Sequence, residues 1–118
     1  MAQGSVFSEE IRKADNYLRG YIINQKLLRL DRYEREYLGY RDTEESSTVD
    51  VSLARAKMFE IRHFVTEMKN GDEKLLLYYH YIRGETVEKC AELLGISRSS
   101  GFRLKKRALS MAAALMEK

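Results

Sequence analysis

The chain has 118 residues, which is enough for one domain or for one small domain with a helical arm. Charged residues make up 33% and hydrophobic residues 44%, a balance that excludes a disordered chain and is typical of a soluble helical protein. The net charge of +3 excludes a histone-like polycation. No apolar run approaches the ~20 residues that cross a bilayer. Since the N-terminus lacks the order of a signal peptide, we expect a cytoplasmic protein.

The first predicted element is a long amphipathic helix over residues 8–40, within an N-terminal helical arm of residues 1–45. Its apolar residues recur at spacings near three, four and seven between Ile11 and Leu38. Gly39 predicts a kink or an early end of this helix. A stripe of this length has to be buried, either in a helical hairpin within the chain or in a dimerisation arm. The sequence leaves both alternatives open.

Residues 46–52, in the polar sequence RDTEESSTVDVS, are predicted to form a linker to a helical domain at residues 53–118. Asp50 or Ser52 is predicted to cap a second helix that runs to about residue 70. The core face of this helix is expected to consist of Leu53, Met58, Ile61, Phe64, Val65 and Met68. Asp72 begins a third helix that ends at Gly84, and we expect its tyrosines to fill the core with their hydroxyls reaching the surface.

Residues 86–109, TVEKCAELLGISRSSGFRLKKRAL, are predicted to form two short helices around a tight turn. Thr86 is expected to cap the first helix and Ser97 the second. Gly95 is expected to end the first helix in a left-handed conformation, since glycine has no Cβ to clash. No acidic residue occurs from Ser97 until Glu117. A cationic helix that starts with small hydroxyl residues suits the major groove of DNA.

The spacing of Ala91, Gly95, Ile96 and Leu104 resembles a helix-turn-helix. The sequence VEKCAELLGISRSSGFRLKKRAL is similar to the promoter-reading last domain of bacterial sigma factors. It also resembles the small phage and prophage late-operon regulators of the ArpU and RinA type, in which a tyrosine-rich helix ending in glycine precedes the motif, as YYHYIRGET does here. The resemblance covers the C-terminal part of the chain, and the N-terminal half shares only length and a helical, charged texture.

This resemblance implies an all-α fold with a long N-terminal helix or helical hairpin and a C-terminal sigma-like helix-turn-helix bundle. It implies a phage-derived transcriptional regulator that binds double-stranded DNA sequence-specifically. Two alternatives are a sigma-like module that binds RNA polymerase and the small terminase subunit that takes part in phage DNA packaging. Terminase would form a ring, whereas a regulator should be monomeric or dimeric.

Two residues depart from the pattern of this family. Gly101 occupies a position where the family usually has a branched apolar residue, and Glu85 one where an apolar residue is usual. Glycine inside a helix costs about 1 kcal/mol of helix propensity. We therefore expect Gly101 to remove a core contact and to loosen the packing of the motif.

The geometry of the motif predicts which residues contact DNA. The residues expected to face the groove are Ser97, Arg98, Ser99, Phe102, Arg103 and Lys106. Arg98 and Arg103 are the best candidates for bidentate contact with guanine, and Phe102 for a thymine methyl group. The hydroxyls expected to hold phosphates belong to Thr86, Ser97 and Ser100. The residues expected to add sequence-independent attraction are Lys105, Lys106 and Arg107.

The sequence contains no constellation typical of an enzyme, so we expect neither catalysis nor a cofactor. His63 and His80 lack cysteine or carboxylate neighbours at the spacing of a metal site. The single cysteine, Cys90, lies on the apolar face of a predicted helix and is expected to be a buried small hydrophobe.

The apolar stripes predict a homodimer, because together they exceed what one small core should absorb. One stripe is the amphipathic stretch from Ile11 to Leu38. The other runs along the last helix and consists of Leu104, Ala108, Leu109, Met111, Ala112, Leu115 and Met116. Its excess is expected to pack on the second helix or across a dimer axis.

Overall fold

A computed structural model describes the backbone of residues 2–38 and 44–117 and the side chains of residues 9–37 and 50–117. The helices in these ranges are α1 (Ala2–Tyr33), α2 (Glu44–Thr66), α3 (Asp72–Leu77), α4 (Val87–Leu94) and α5 (Arg98–Met116). π-helical turns extend α1 over Glu34–Leu38 and α3 over Tyr78–Ile82. The described residues form no strand, so the predicted all-α class is confirmed. None of these helices is both long and apolar enough to span a membrane.

The first two helices begin earlier than predicted. Helix α1 begins at Ala2 rather than Ser8, and α2 begins at Glu44, so residues 46–52, predicted to be a linker, are helical. This segment has no proline or glycine to break a helix. The predicted kink or end near Gly39 lies outside the described residues.

Helices α1 and α2 form an antiparallel hairpin within the chain. Near one end of the hairpin, the Tyr17 hydroxyl donates a hydrogen bond of 2.6 Å to Glu60 Oε2. The Tyr17 ring also meets the Phe64 ring edge-on at 5.5 Å between centroids. Towards the other end, Leu28 of α1 and Val51 of α2 line one groove. The internal hairpin, one of the two alternatives for the first helix, is therefore present along the buried side of α1.

One hydrophobic core joins α1, α2, α3, α4 and α5. Its largest fully buried side chains are Leu18, Ile61, Val65, Leu76, Leu77 and Cys90, so the predicted burial of the cysteine is confirmed. Tyr81 is also buried, and its hydroxyl donates a hydrogen bond to Asp15. The predicted core face of α2 is wrong at Leu53, which is 63% exposed, while the neighbouring Ala54 is buried. The small Ala54 faces α1 because the two helices pack closely there.

The apolar stripe of α5 is mostly absorbed within the chain. Leu104, Ala108, Leu109 and Ala112 are buried, and α5 packs on α1, α3 and α4. In the described residues the backbone of α5 lies close to those of α1, α3 and α4 and not to that of α2, the helix on which the excess of the stripe was predicted to pack. Only its last turn remains open, where Leu115 and Met116 are exposed.

Candidate nucleic-acid interface

Helices α4 and α5 and their turn have the local geometry that the sequence predicts. The Thr86 Oγ1 accepts a hydrogen bond from the backbone N–H of Lys89 at 3.1 Å, and Ser97 Oγ accepts one from Ser100 at the same distance. Gly95 adopts the left-handed conformation with a φ of 71°. The N–H of Ile96 then bonds back to the carbonyl of Ala91 at 2.9 Å and closes the end of α4. Both predicted caps and the glycine turn are confirmed.

Gly101 marks the closest approach of α5 to α4. It is buried, and a Cβ placed on it would lie 2.9 Å from the Cβ of Ala91 and 3.5 Å from Val87 Cγ1. The expectation that Gly101 loosens the motif is therefore wrong, because its missing side chain is what lets the two helices touch. A small residue on each helix fixes their separation.

The exposed side of α5 carries cations and hydroxyls. Ser99, Arg103 and Lys106 are exposed there, and Arg98 and Phe102 lie beside them. The Arg98 guanidinium lies 5.7 Å from the centroid of the Phe102 ring, while its Nε is 3.3 Å from Glu88 Oε1. Phe102 is 45% exposed, so its ring is accessible from solvent beside these cations.

The hydroxyls at the start of α5 form a chain that ends on Arg103. Ser97 Oγ donates to Ser100 Oγ at 3.0 Å, and Ser100 Oγ accepts from the Arg103 guanidinium at 3.1 Å. Ser97 and Ser100, predicted to hold phosphates, thus also cap the helix and orient Arg103. A guanidinium held by a hydroxyl loses less conformational freedom when it binds a ligand.

Two of the predicted basic residues lie on the flanks of α5 rather than on this exposed side. Lys105 is half-buried, with its Nζ 6.0 Å from the centroid of the Tyr81 ring. Arg107 forms an ion pair with Glu73 at the start of α3, with 2.9 Å between Nε and Oε1. The rotational phase of α5 is set by its packing on α1 and α3, and that phase separates these residues from Arg103.

Helix α1 contributes cations that the sequence analysis missed. Arg12 lines a groove with Phe102 and Lys105, and Arg19 and Lys26 line a second groove with Thr86 and Lys105. The three α1 residues are spaced by seven, which places them on one face of that helix. This spacing was the available signal, but only the fold shows that the face adjoins α5 and the start of α4.

Of the two carboxylates that line these grooves, Asp15 and Glu85, Asp15 is paired with an arginine. Asp15 accepts hydrogen bonds from Tyr81 and from Arg19, the latter at 2.6 Å. Burial of the Asp15 carboxyl acts to raise its pKa, but the hydrogen bonds from Tyr81 and Arg19, with the positive charge of Arg19, outweigh this and leave the pKa below its usual value. Asp15 is thus ionised and ties α1 to the π-helical end of α3, just before α4.

His80 holds the segment that leads into Thr86. Its Nδ1 lies 2.7 Å from the carbonyl of Glu85, so this nitrogen donates its proton. Burial lowers the pKa of His80, and the nearby charges of Lys105 and Arg19 lower it further, against the opposing effect of the bond to Glu85. The imidazole is therefore neutral at pH 7 and acts as a structural donor.

Comparisons with protein-family models, with curated proteins and with solved structures give no match for this chain. What the arrangement can do therefore follows from its own residues. The start and exposed side of α5 present hydrogen-bond donors and positive charge, and Glu88 and Asp15 beside them are paired with arginines. Such a surface is suited to an extended anion with acceptor groups along its length.

Proposed function

We propose that this protein is a sequence-specific, double-stranded DNA-binding transcriptional regulator of phage origin that acts in the cytoplasm as a homodimer. In this proposal α5 enters the major groove. A capped helix, a left-handed glycine and a second capped helix packed through Gly101 support a helix-turn-helix. In that motif the second helix is the one that reads bases.

The observation that carries the proposal is the exposed side of α5. Ser99, Arg103 and Lys106 lie there, on a helix whose sequence from Arg98 to Met116 contains no acidic residue. The guanidinium of Arg103, held by Ser100, suits the two acceptors of guanine, and Phe102 suits a thymine methyl group. A base-reading surface needs such directed donors, whereas a solvated charged face does not.

Arg98 is available for DNA despite its contact with Glu88. The side chains of Arg98 and Glu88 are 74% and 48% exposed, and exposed ion pairs contribute only about 0–1 kcal/mol. A phosphate or guanine near the start of α5 therefore competes readily for this guanidinium. Glu88 then repels a DNA phosphate that approaches in the wrong position, because both groups are negatively charged.

The cations of α1 are proposed to bind the phosphates beside the groove. Arg12 and Arg19 follow one face of α1, and each lines a groove together with Lys105. Contacts of this kind position the protein and make affinity depend on salt. They extend the interface well beyond the helix-turn-helix.

Selection of bound fragments from random double-stranded DNA tests the proposal. We expect a short enriched sequence, and affinity for it that falls with salt at a slope of about −0.9 per phosphate neutralised. Arg19→Ala should weaken binding uniformly across sequences and reduce that slope by about one. The same loss of charge in Arg62→Ala, on an exposed position of α2 away from α5, is the control. Absence of any enriched sequence would contradict the proposal.

A further inference from the structure

The C-terminal half of α1 carries an exposed apolar surface, called here the distal stripe. It consists of Ile23, Leu27, Leu30, Tyr33 and Tyr37, with Leu53 of α2 at its edge, and each of these side chains is more than half exposed. The positions 23, 27, 30, 34 and 37 alternate in steps of four and three, with Glu34 as the polar member. Such spacing is typical of a helix that packs lengthwise on another helix.

The distal stripe faces away from the hairpin that buries the other side of α1. Leu28 points into the contact with α2, where Val51 and Ala54 meet it. Leu27 and Leu30 stand beside Leu53 along the outer rim of the same groove. The described part of the chain thus leaves a second, outward seam on α1.

The size of the distal stripe fits one half of a dimer interface. With roughly 100 Å² exposed on each side chain, its six members present ~600 Å² of mostly apolar surface. A patch of this size on a small protein marks an interaction site. A stable interface buries ~800 Å² per partner, which the flanking polar side chains would complete.

We propose that the distal stripe binds the distal stripe of a second copy, with the two α1 helices antiparallel and a two-fold axis at Leu30. The stripe is symmetric about this residue. Ile23 and Tyr37 lie seven residues before and after Leu30, and Leu27 and Tyr33 lie three before and after it. In an antiparallel pair, Ile23 of one copy therefore lies beside Tyr37 of the other and Leu27 beside Tyr33. The two Leu30 side chains meet in the middle.

The charges favour the antiparallel arrangement over a parallel one. Lys26 and Glu34 lie four residues before and after Leu30 and flank the stripe, Lys26 in the groove that includes Thr86, and Glu34 in the groove between α1 and α2. In the antiparallel pair each Lys26 shares a layer with the partner's Glu34. In a parallel pair the same layers would hold two lysines and two glutamates, which repel.

The antiparallel dimer also has a consequence that rests on the proposed DNA-binding function. Helix α1 contacts α2 through Tyr17 and Leu28 on one flank, and Asp15 and Arg19 border the helix-turn-helix on the opposite flank. The proposed two-fold axis is perpendicular to the two α1 helices and lies between them. Rotation about this axis leaves the α2 flanks of both copies on one side of the dimer and the opposite flanks of both copies on the other. Both α5 helices then face the same side of the dimer, as two half-sites on one duplex require.

Solution mass tests the interface without DNA. Sedimentation equilibrium of the full chain at micromolar concentration should give twice the 13.8 kDa of one copy. Leu30→Glu places two like charges on the axis and should raise the dimer dissociation constant at least about a hundredfold. Phe59→Glu changes an apolar residue on α2 that is more exposed than Leu30 and lies outside the groove, and it should leave the dimer intact. A monomeric wild type, a ring of many subunits, or equal loss in both variants would overturn the proposal.

The orientation is tested by exchanging charges and by cross-linking. Lys26→Glu and Glu34→Lys should each weaken the dimer, and the double variant should restore it. Chains with Ile23→Cys and Tyr37→Cys, mixed and oxidised, should cross-link to each other, while neither should cross-link to itself. Cys90 is buried and does not compete. Self-cross-linking of Ile23→Cys would show a parallel pair. Because none of these measurements uses DNA, they succeed or fail independently of the DNA-binding proposal.

Discussion

The two halves of α1 differ in the side chains that their exposed faces carry. In the half that includes Leu18, apolar side chains are buried in the core and the exposed face carries Arg12 and Arg19 beside α5. In the half around Leu30, the exposed face is itself apolar. One amphipathic pattern runs through both halves, and only the neighbouring helices determine which apolar residues form the core. Helical periodicity therefore identifies candidate interfaces without saying which are internal.

The largest expected effect is on the free energy of unfolding, and it distinguishes the two halves of α1. Leu18→Ala removes a fully buried side chain and should lower the free energy of unfolding by about 2–5 kcal/mol. Leu27→Ala changes a half-exposed residue and should alter it by less than ~0.5 kcal/mol. Chemical denaturation of both variants in the Leu30→Glu background removes the contribution of self-association. Comparable losses would show that the distal half belongs to the core.

A smaller effect is expected at the contact of α4 with α5. Gly101→Ala should destabilise the protein by about 1–3 kcal/mol, because the new Cβ meets Ala91 at 2.9 Å. Ala91→Gly combined with Gly101→Ala should recover part of this loss, since the space is returned from the other side. Ser99→Ala, on the exposed side of α5, is the matched control and should not destabilise the fold. A thermal melt in which Gly101→Ala is more stable than wild type would contradict the close approach.

The smallest effect concerns pH and the segment before Thr86. Because the folded-state pKa of His80 lies below its ordinary value of 6.5, the unfolded chain binds the proton more readily. The contribution of His80 to stability is therefore present above pH 6.5 and is lost as pH falls below it towards the folded-state pKa. Unfolding of wild type and His80→Gln at pH 7 and pH 5 measures this, and wild type should lose more on acidification. An identical pH response would refute the neutral, buried state of His80.

The local features of α4, α5 and the turn between them were predictable from sequence because each depends on a few adjacent residues. Thr86 and Ser97 cap because a hydroxyl reaches the backbone N–H three residues later, and Gly95 turns because it lacks a Cβ. The effect of Gly101 on packing was predicted wrongly because it depends on the contact of Gly101 with Ala91, which lies on another helix. The start of α2 was missed because a polar segment without proline or glycine gives no clear stop signal.

The candidate interface was predictable only in part, since a side chain's direction depends on how its helix is packed. Ser99 and Arg103 lie on the exposed side as expected, whereas Lys105 and Arg107 turn towards Tyr81 and Glu73 on the flanks. The α1 cations were missed because nothing in the sequence indicates that α1 adjoins the motif. Contacts between segments that are distant in the sequence cannot be predicted from local sequence patterns.

The most direct test of the DNA-reading claim is the effect of Arg103→Ala on a duplex carrying the selected sequence and on its single-base variants. We expect affinity for the preferred sequence to fall by about 1–3 kcal/mol and discrimination to be lost at one base pair only. Arg62→Ala should leave both unchanged. If Arg103→Ala instead weakens binding equally on every sequence, Arg103 contacts a phosphate, and the assignment of base reading to this side of α5 is contradicted.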